Sequence, residues 1–337
     1  MKPSDLPSIT PRLPTLDGIR GLASVLVLCH NVQLLQTPNG LLARAVETGF
    51  DRGWVGVQLF FVLSVYLITG ILLDTKTAPN HFSSFFTRRA LRIFPLYYLT
   101  LVLLLLIVFP MLVTSSRMPQ LTLESQLPFW LYYSNWSGPD GPPQYALSHF
   151  WSLAIEEQFY WLWPFVLYRL SLGQTLGVCL GAAVAALLIR VGMVAMQVNA
   201  DAICKFSFCR MDALTLGGAA AAAMRLPGAA TWIAARRGRL LALTLGLAVA
   251  GLLVTRGFGR TSPLTQTLGY SLLLLIFALF VGLAAHADFG PGRATGQGAF
   301  RWLRSAPLRF LGKYSYGACT CSTGRSTSCW AGPRWRQ

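Results

Sequence analysis

Charge is scarce in this sequence. Only 12% of the 337 residues are Asp, Glu, Lys or Arg, while 54% are apolar. A soluble domain carries about twice that share of charge, so the composition excludes an ordinary water-soluble globule and points to a membrane protein. Acidic residues are the rarest class, 12 against 28 basic. Histidine occurs four times and cysteine seven; no pair among them has zinc-site spacing, and no metal is expected. Repeats, heptad arrays and low-complexity tracts beyond Ala-rich helices are missing. Residues 1–14 hold Pro3, Pro7, Pro11 and Pro14 and lack an apolar core. They do not read as a cleaved signal peptide, and a short cytoplasmic tail is expected.

What the sequence has is a series of apolar runs of the length that spans a bilayer. They fall near Leu16–Leu35, Trp54–Leu73, Phe94–Thr114, His149–Leu170, Thr175–Met196, Ala213–Met224, Leu240–Val254 and Leu268–Ala285. The expected fold class is all-α: a polytopic transmembrane helix bundle of eight complete spans plus a truncated ninth, starting after Arg309. The connection Ser115–Leu147 bears Pro and Gly and is expected on the outer surface. With the N-terminus inside, seventeen Lys and Arg fall on inner segments and eight on outer ones. That is the positive-inside bias, and it sets the N-terminus in the cytoplasm of a multi-pass cell (inner) membrane protein. The formal net charge of +16 therefore reports topology and contact with membrane lipids, and nucleic acid is not an expected partner. Cys29 and Cys179 sit in spans as small apolar residues. Cys204 and Cys209 fall in a predicted outer loop, where a disulfide is possible.

Against this background the few ionisable residues stand out. The stretch SHFWSLAIEEQFYWLWPF, Ser148 to Phe165, carries His149, Glu156 and Glu157. His149, Ser152, Glu156 and Tyr160 recur at three, four and four residues and share one stripe of a helix. Glu157 lies about 95° to one side of it. A charge at mid-membrane costs about 2.5–3.5 kcal/mol, so both carboxylates need a polar cavity or cationic partners; a structural ion pair between helices is the plain alternative. Helical phase gives Glu156 to a cavity and Glu157 to a neighbouring helix's cation.

The first span, LDGIRGLASVLVLCHN, places Asp17 and Arg20 at i,i+3 near its inner end and His30 toward its outer end. It runs outward while the fourth runs inward, so His30 and the Glu156 stripe could meet in the outer half of the membrane. A His beside a carboxylate is the arrangement that activates a hydroxyl. In FTRRALRIFPLYYL, Arg88, Arg89 and Arg92 precede Pro95. Guanidinium forks suit phosphate, although an isolated cluster reads more readily as a positive-inside anchor. In GVQLFFVLSVYLITGIL the polar side chains are Gln58, Ser64, Tyr66 and Thr69, which alone indicates a packed span.

Taken together, these stretches resemble the acyltransferase 3 family of integral membrane acyltransferases. LDGIRGLASVLVLCH is similar to its opening Arg-to-His motif, and GVQLFFVLSVYLITGIL to its Gly-Val-Asp-Leu-Phe-Phe-Val-Leu-Ser-Gly segment. RRALRIFPLYYL resembles its Arg-x-x-Arg region, and HFWSLAIEEQFYWLWP its His-x-Trp-Ser-Leu-x-x-Glu-Glu-Gln-Phe-Tyr signature. LGKYSYG is similar to the start of a late helix. The matches keep the family's order across residues 15 to 317. The resemblance implies acyl transfer, usually of acetyl, from acetyl-CoA or another acyl-CoA at the cytoplasmic side to a hydroxyl of a saccharide or other acceptor. It implies His30 as the catalytic histidine with Arg20 as its motif partner, and Arg89 and Arg92, with Arg88 adjacent, near the CoA phosphates. Glu156 and Glu157 are the implied acidic pair, with His149 beside them. A polytopic permease with a buried His/Glu relay, or an inactive truncated family member, are the other classes such a chain could belong to.

Three departures from the family pattern carry consequences. Nine residues separate Arg20 from His30 where the family usually has ten, which turns His30 about 80° off the Arg20 stripe unless a π-bulge restores the register. Gln58 replaces the usual Asp, and Val65 the usual Gly, so Val65 is expected to crowd a close helix contact. After LGKYSYG the family continues into an apolar helix, whereas this chain reads ACTCSTGRSTSCWAGPRWRQ. Codons for Ala318 through Cys329 can be chosen so that the shifted frame reads Leu-Tyr-Val-Phe-His-Arg-Pro-Val-His-Leu-Leu. Residues 318–337 are therefore expected to be a frameshifted tail on a transmembrane domain of residues 15–317.

Overall fold

The computed structural model describes residues 13–31, 40–111, 122–137, 147, 149–289 and 298–321. These form twelve α-helices with short 3-10 and π turns between them and no strand among the described residues. They are α1 (Pro14–Asn31), α2 (Leu41–Asp51), α3 (Val55–Asp74), α4 (His81–Leu101), α5 (Leu123–Trp130) and α6 (Phe150–Arg169). After these come α7 (Leu172–Ala195), α8 (Ala200–Lys205), α9 (Met211–Ala223), α10 (Ala229–Val254), α11 (Tyr270–Phe289) and α12 (Ala306–Cys321). The tail expected from Ala318 lies largely outside the described residues, which end with α12.

Five helical stretches are long and apolar enough to cross a membrane: Val46–Asp74, His81–Met111, Leu172–Ala195, Ala229–Val254 and Thr265–Asp288. Each overlaps one of the expected runs. The other three runs do form helices, with physical reasons for falling short. Asp17 and Arg20 lie in α1, and α6 holds Glu156, Glu157 and Arg169. The 13 residues of α9 rise only about 20 Å, less than a bilayer core. Nearly all of α9 is buried, so it is an inner strut of the bundle.

The core forms around α3, whose inward residues Leu59, Phe61, Val62, Leu63, Val65 and Tyr66 pack with α1, α6, α9 and α11. Backbones come close where side chains are missing. A Cβ on Gly217 of α9 would overlap the Val62 carbonyl of α3, and one on Gly312 of α12 would overlap the Asp17 carbonyl of α1. Val65 is fully buried in this core, and the close approach of α3 to α9 runs through Gly217 beside Val62 and Tyr66. By contrast α7 and α10 expose Leu180, Val184, Leu188, Leu245 and Leu253, the pattern of surfaces that face lipid.

Hydrogen bonds define the two ends. Thr15 meets Asp288, which also accepts from Arg304; Arg225 pairs with Asp74, and Lys76 Nζ donates to the Leu170 carbonyl. Residues 15, 74, 170, 225, 288 and 304 thus share one end. Trp54 Nε1, donating to Phe258 O at 3.3 Å, marks the other. At that far end a second apolar cluster joins α4, α5 and α6, with Tyr97 stacked on Tyr132 at 4.2 Å and donating to Phe129 O at 2.6 Å.

Gly217→Val should therefore lower stability by about 1–3 kcal/mol through overpacking. Gly181→Val, at a position with open space around it, should stay within about 0.5 kcal/mol. Thermal unfolding in detergent measures both.

Candidate active site

The stripe on α6 is present as its spacing predicts. Ser152 Oγ donates to His149 O at 3.0 Å. Glu156 lies within hydrogen-bonding reach of the Tyr160 hydroxyl one turn on and of Ser64 on α3. Glu156 is half-buried and Glu157 buried. Glu157 leaves the stripe and meets Arg89 of α4, with Oε1 3.6 Å from Nε. The same guanidinium lies over the Tyr160 ring, 3.3 Å from its centroid. One cation thus serves two neighbours on α6, and Arg89 stands eight residues, about 12 Å, into α4.

This changes the reading of the Arg cluster. Arg88 and Arg92 are exposed, while Arg89 turns into the bundle. The expected separation between inner phosphate-binding arginines and a deeper acidic pair does not hold for Arg89, which belongs to the acidic cluster. Arg20 pairs with Asp17 at 3.5 Å, as their spacing suggests.

His30 goes elsewhere. Throughout its length α1 is a regular α-helix, so no π-bulge restores the Arg20 register; the π turns fall instead at Val102–Val108 and Thr265–Gly269. The histidine packs on Gly53, whose added Cβ would stand 2.9 Å from His30 N and Cβ. Its ring faces the carbonyls of Phe50 and Asp51, with the Asp51 carboxylate and the Arg260 guanidinium as the nearby charges. Nδ1 is buried with no hydrogen-bond partner among the described residues. Glu156, by contrast, reaches Ser64, which is separated from Gly53 by about 15 Å along α3. The expected meeting of His30 with the Glu156 stripe is therefore not seen; the acidic neighbour of His30 is Asp51. His149 packs edge-on against Phe150, and its Nε2 is buried without a partner among the described residues.

Sequence reasoning missed a further cluster near the far end. Arg190 of α7 and Asp212 of α9, both fully buried, pair at 2.6 Å. Arg190 also donates to Ser271 Oγ at 2.6 Å and to Cys209 O at 2.5 Å. Arg210 donates to Cys204 O at 2.6 Å and to Cys204 Sγ at 2.7 Å, and lies 4.4 Å over the Tyr270 ring. Cys204 and Cys209 are both free thiols, so the possible disulfide is not formed. Burial pushes the Cys209 thiol up to about 11, away from reactive thiolate. The signal was available: Arg190 is an ionisable residue inside an apolar run and Asp212 stands immediately before the next, and such groups must be paired. Among the described residues no group of three or more His, Cys, Asp or Glu could hold a metal ion.

The family model described as an acyltransferase domain matches residues 13–318. The chain belongs to the acyltransferase 3 family. Among its relatives, the peptidoglycan O-acetyltransferase OatA of Listeria monocytogenes is 31% identical over 163 residues, 45% of this chain and 24% of the relative. The O-acetyltransferase OatA of Staphylococcus aureus is 33% identical over 163 residues, 46% of this chain and 24% of the relative. The match thus spans about a quarter of the length of these relatives. No solved structure matches the chain. The family includes members named as O-acetyltransferases.

Glu157→Gln strands Arg89 inside the bundle and should cost about 3 kcal/mol of stability, with much of it recovered in Glu157→Gln/Arg89→Gln. Glu156→Gln keeps hydrogen bonding to Tyr160 and Ser64 and should cost less than 1 kcal/mol. A double-mutant cycle of unfolding in detergent reads all three; additive losses at Glu157 and Arg89 would contradict the pairing.

Proposed function

We propose that this protein is a multi-pass membrane O-acyltransferase that moves an acyl group, acetyl in the first instance, from acyl-CoA to a hydroxyl of a saccharide. The observation that carries this reading is the buried Glu157–Arg89 pair with Glu156 beside it, on the motifs that resemble the family signature. Ionised groups at such depth are functional by default. Relatives named for O-acetylation of peptidoglycan make a cell-wall glycan the first acceptor to test.

In this reading the chain crosses the inner membrane, with the end holding Thr15, Arg225 and Arg304 in the cytoplasm. α1 and α6 join the five long apolar helices as shielded spans, α9 stays between them as a short buried strut, and α12 begins a further span. His30, oriented by the end of α2, takes the proton from the acceptor hydroxyl. The freed oxygen bonds to the thioester carbonyl carbon, the carbon–sulfur bond breaks, and the CoA thiolate leaves with a proton from the imidazolium. Glu156 and Glu157, through Arg89, hold the interior polar path that the donor must use. The 20 residues of α3 rise about 30 Å, so donor binding and transfer stand at opposite ends. Residues 318–337 are a shifted frame in the same proposal; resequencing should restore an apolar helix, and an intact frame with this ending in several isolates would refute it.

Labelled acetyl-CoA and wall glycan fragments, incubated with membranes, test the chemistry. His30→Ala should reduce transfer about 10²–10⁴-fold, the range of a lost general base. Undiminished transfer in that variant would remove His30 from the mechanism, and solute transport without any label transfer would favour a permease.

A further inference from the structure

At the end where Thr15 meets Asp288, the residues just before α12 border an open cavity of about 710 Å3, lined by Gly298, Arg301, Trp302, Arg304 and Ser305. The chain builds it deliberately. Arg304 is fixed by Thr15 Oγ1, Asp288 Oδ1 and the Ala287 carbonyl, each at 3.0 Å. These contacts use Nε and Nη2, and Nη1 has no hydrogen-bond partner among the described residues. Asp288 is itself occupied, accepting also from Thr15 N at 3.0 Å, so its carboxylate is committed before any ligand arrives. Arg237 of α10 lies against Gly298, 3.1 Å from where a Cβ would stand, with its guanidinium 5.9 Å from the centre of the Phe300 ring. Neither Arg301 nor Arg237 has a salt bridge among the described residues. Arg301 and Arg304 thus line the cavity, Arg237 lies against the same segment at Gly298, and Trp302 stands beside them half exposed.

Guanidinium forks select phosphate oxygens, and an exposed indole offers a flat face on which a base stacks. A cavity with an excess of about two positive charges, an aromatic face and the Ser305 hydroxyl fits a nucleoside phosphate. α12, which follows this cavity, packs along α1 and along α4, the helix that carries Arg89. We infer that Arg237, Arg301, Trp302 and Arg304 bind the phosphorylated nucleotide end of the acyl donor. This assignment rests on the acyl-CoA reading above. It gives the phosphates a site distinct from Arg89, which Glu157 already engages.

Isothermal titration of coenzyme A into the full chain in phosphatidylcholine nanodiscs tests it. Arg301→Ala and Trp302→Ala should each weaken binding about tenfold, with partial recovery in Arg301→Lys and Trp302→Phe. Arg236→Ala, which removes an exposed arginine stacked on Trp232, should leave affinity unchanged. Pantetheine, which lacks the nucleotide, should bind wild type and Arg301→Ala alike. An equal loss in Arg236→Ala would reduce the effect to diffuse surface charge and overturn the site. Full CoA affinity in Arg301→Ala and Trp302→Ala would overturn it while leaving acyl-CoA as donor. Phosphatidylglycerol that occupies the cavity in an Arg301-dependent way and excludes CoA would make it a lipid headgroup site instead. Failure of the wild type to bind CoA in any disc would overturn both this site and the donor reading.

Discussion

A charge carried into an apolar bundle must meet its opposite there, and this single constraint organises the structure. Glu157 is tolerable only because Arg89 leans in from α4, and Arg190 only because Asp212 rises from α9. Asp288 likewise depends on Thr15 and Arg304. Each pair joins different elements of the bundle, so satisfying the charge also fixes which of them touch. Replacing such pairs with apolar residues is often neutral or better for stability, and their retention points toward what the interior does.

The polar interior is arranged along α3. At one end His30 sits against Gly53 beside Asp51; near the middle Ser64 faces Glu156; at the other end Asp74 holds Arg225. α3 contributes few ionisable groups itself, yet Ser64 meets Glu156 and Asp74 meets Arg225 along its length. Its small side chains and the glycines of α9 let the backbones approach, which brings the polar groups of adjacent helices within reach.

The parts legible in the sequence were those governed by one helix at a time. The apolar runs, the His149–Ser152–Glu156–Tyr160 stripe, the Asp17–Arg20 pair and the sideways turn of Glu157 all follow from a period of 3.6 residues. Contacts between helices were not legible, because they depend on how each helix is rotated against its neighbours. Arg89 and Arg92 look alike at i,i+3, yet Arg89 turns inward to Glu157 while Arg92 is exposed. The nine-residue gap before His30 warned that it leaves the Arg20 stripe, and regular α1 geometry sends it to Asp51 rather than Glu156. Asp51 lies in a short helix outside every expected span, where nothing in the local pattern marked it.

The central claim is that donor binding and acyl transfer occupy opposite ends of one membrane-spanning path. Sealed vesicles of defined orientation, carrying wall glycan fragments inside and out, test it most directly when labelled acetyl-CoA is supplied on one face only. The account predicts that label supplied at the face bearing Thr15 and Arg304 appears on glycan in the opposite compartment. Label confined to glycan on the donor's own side would contradict it.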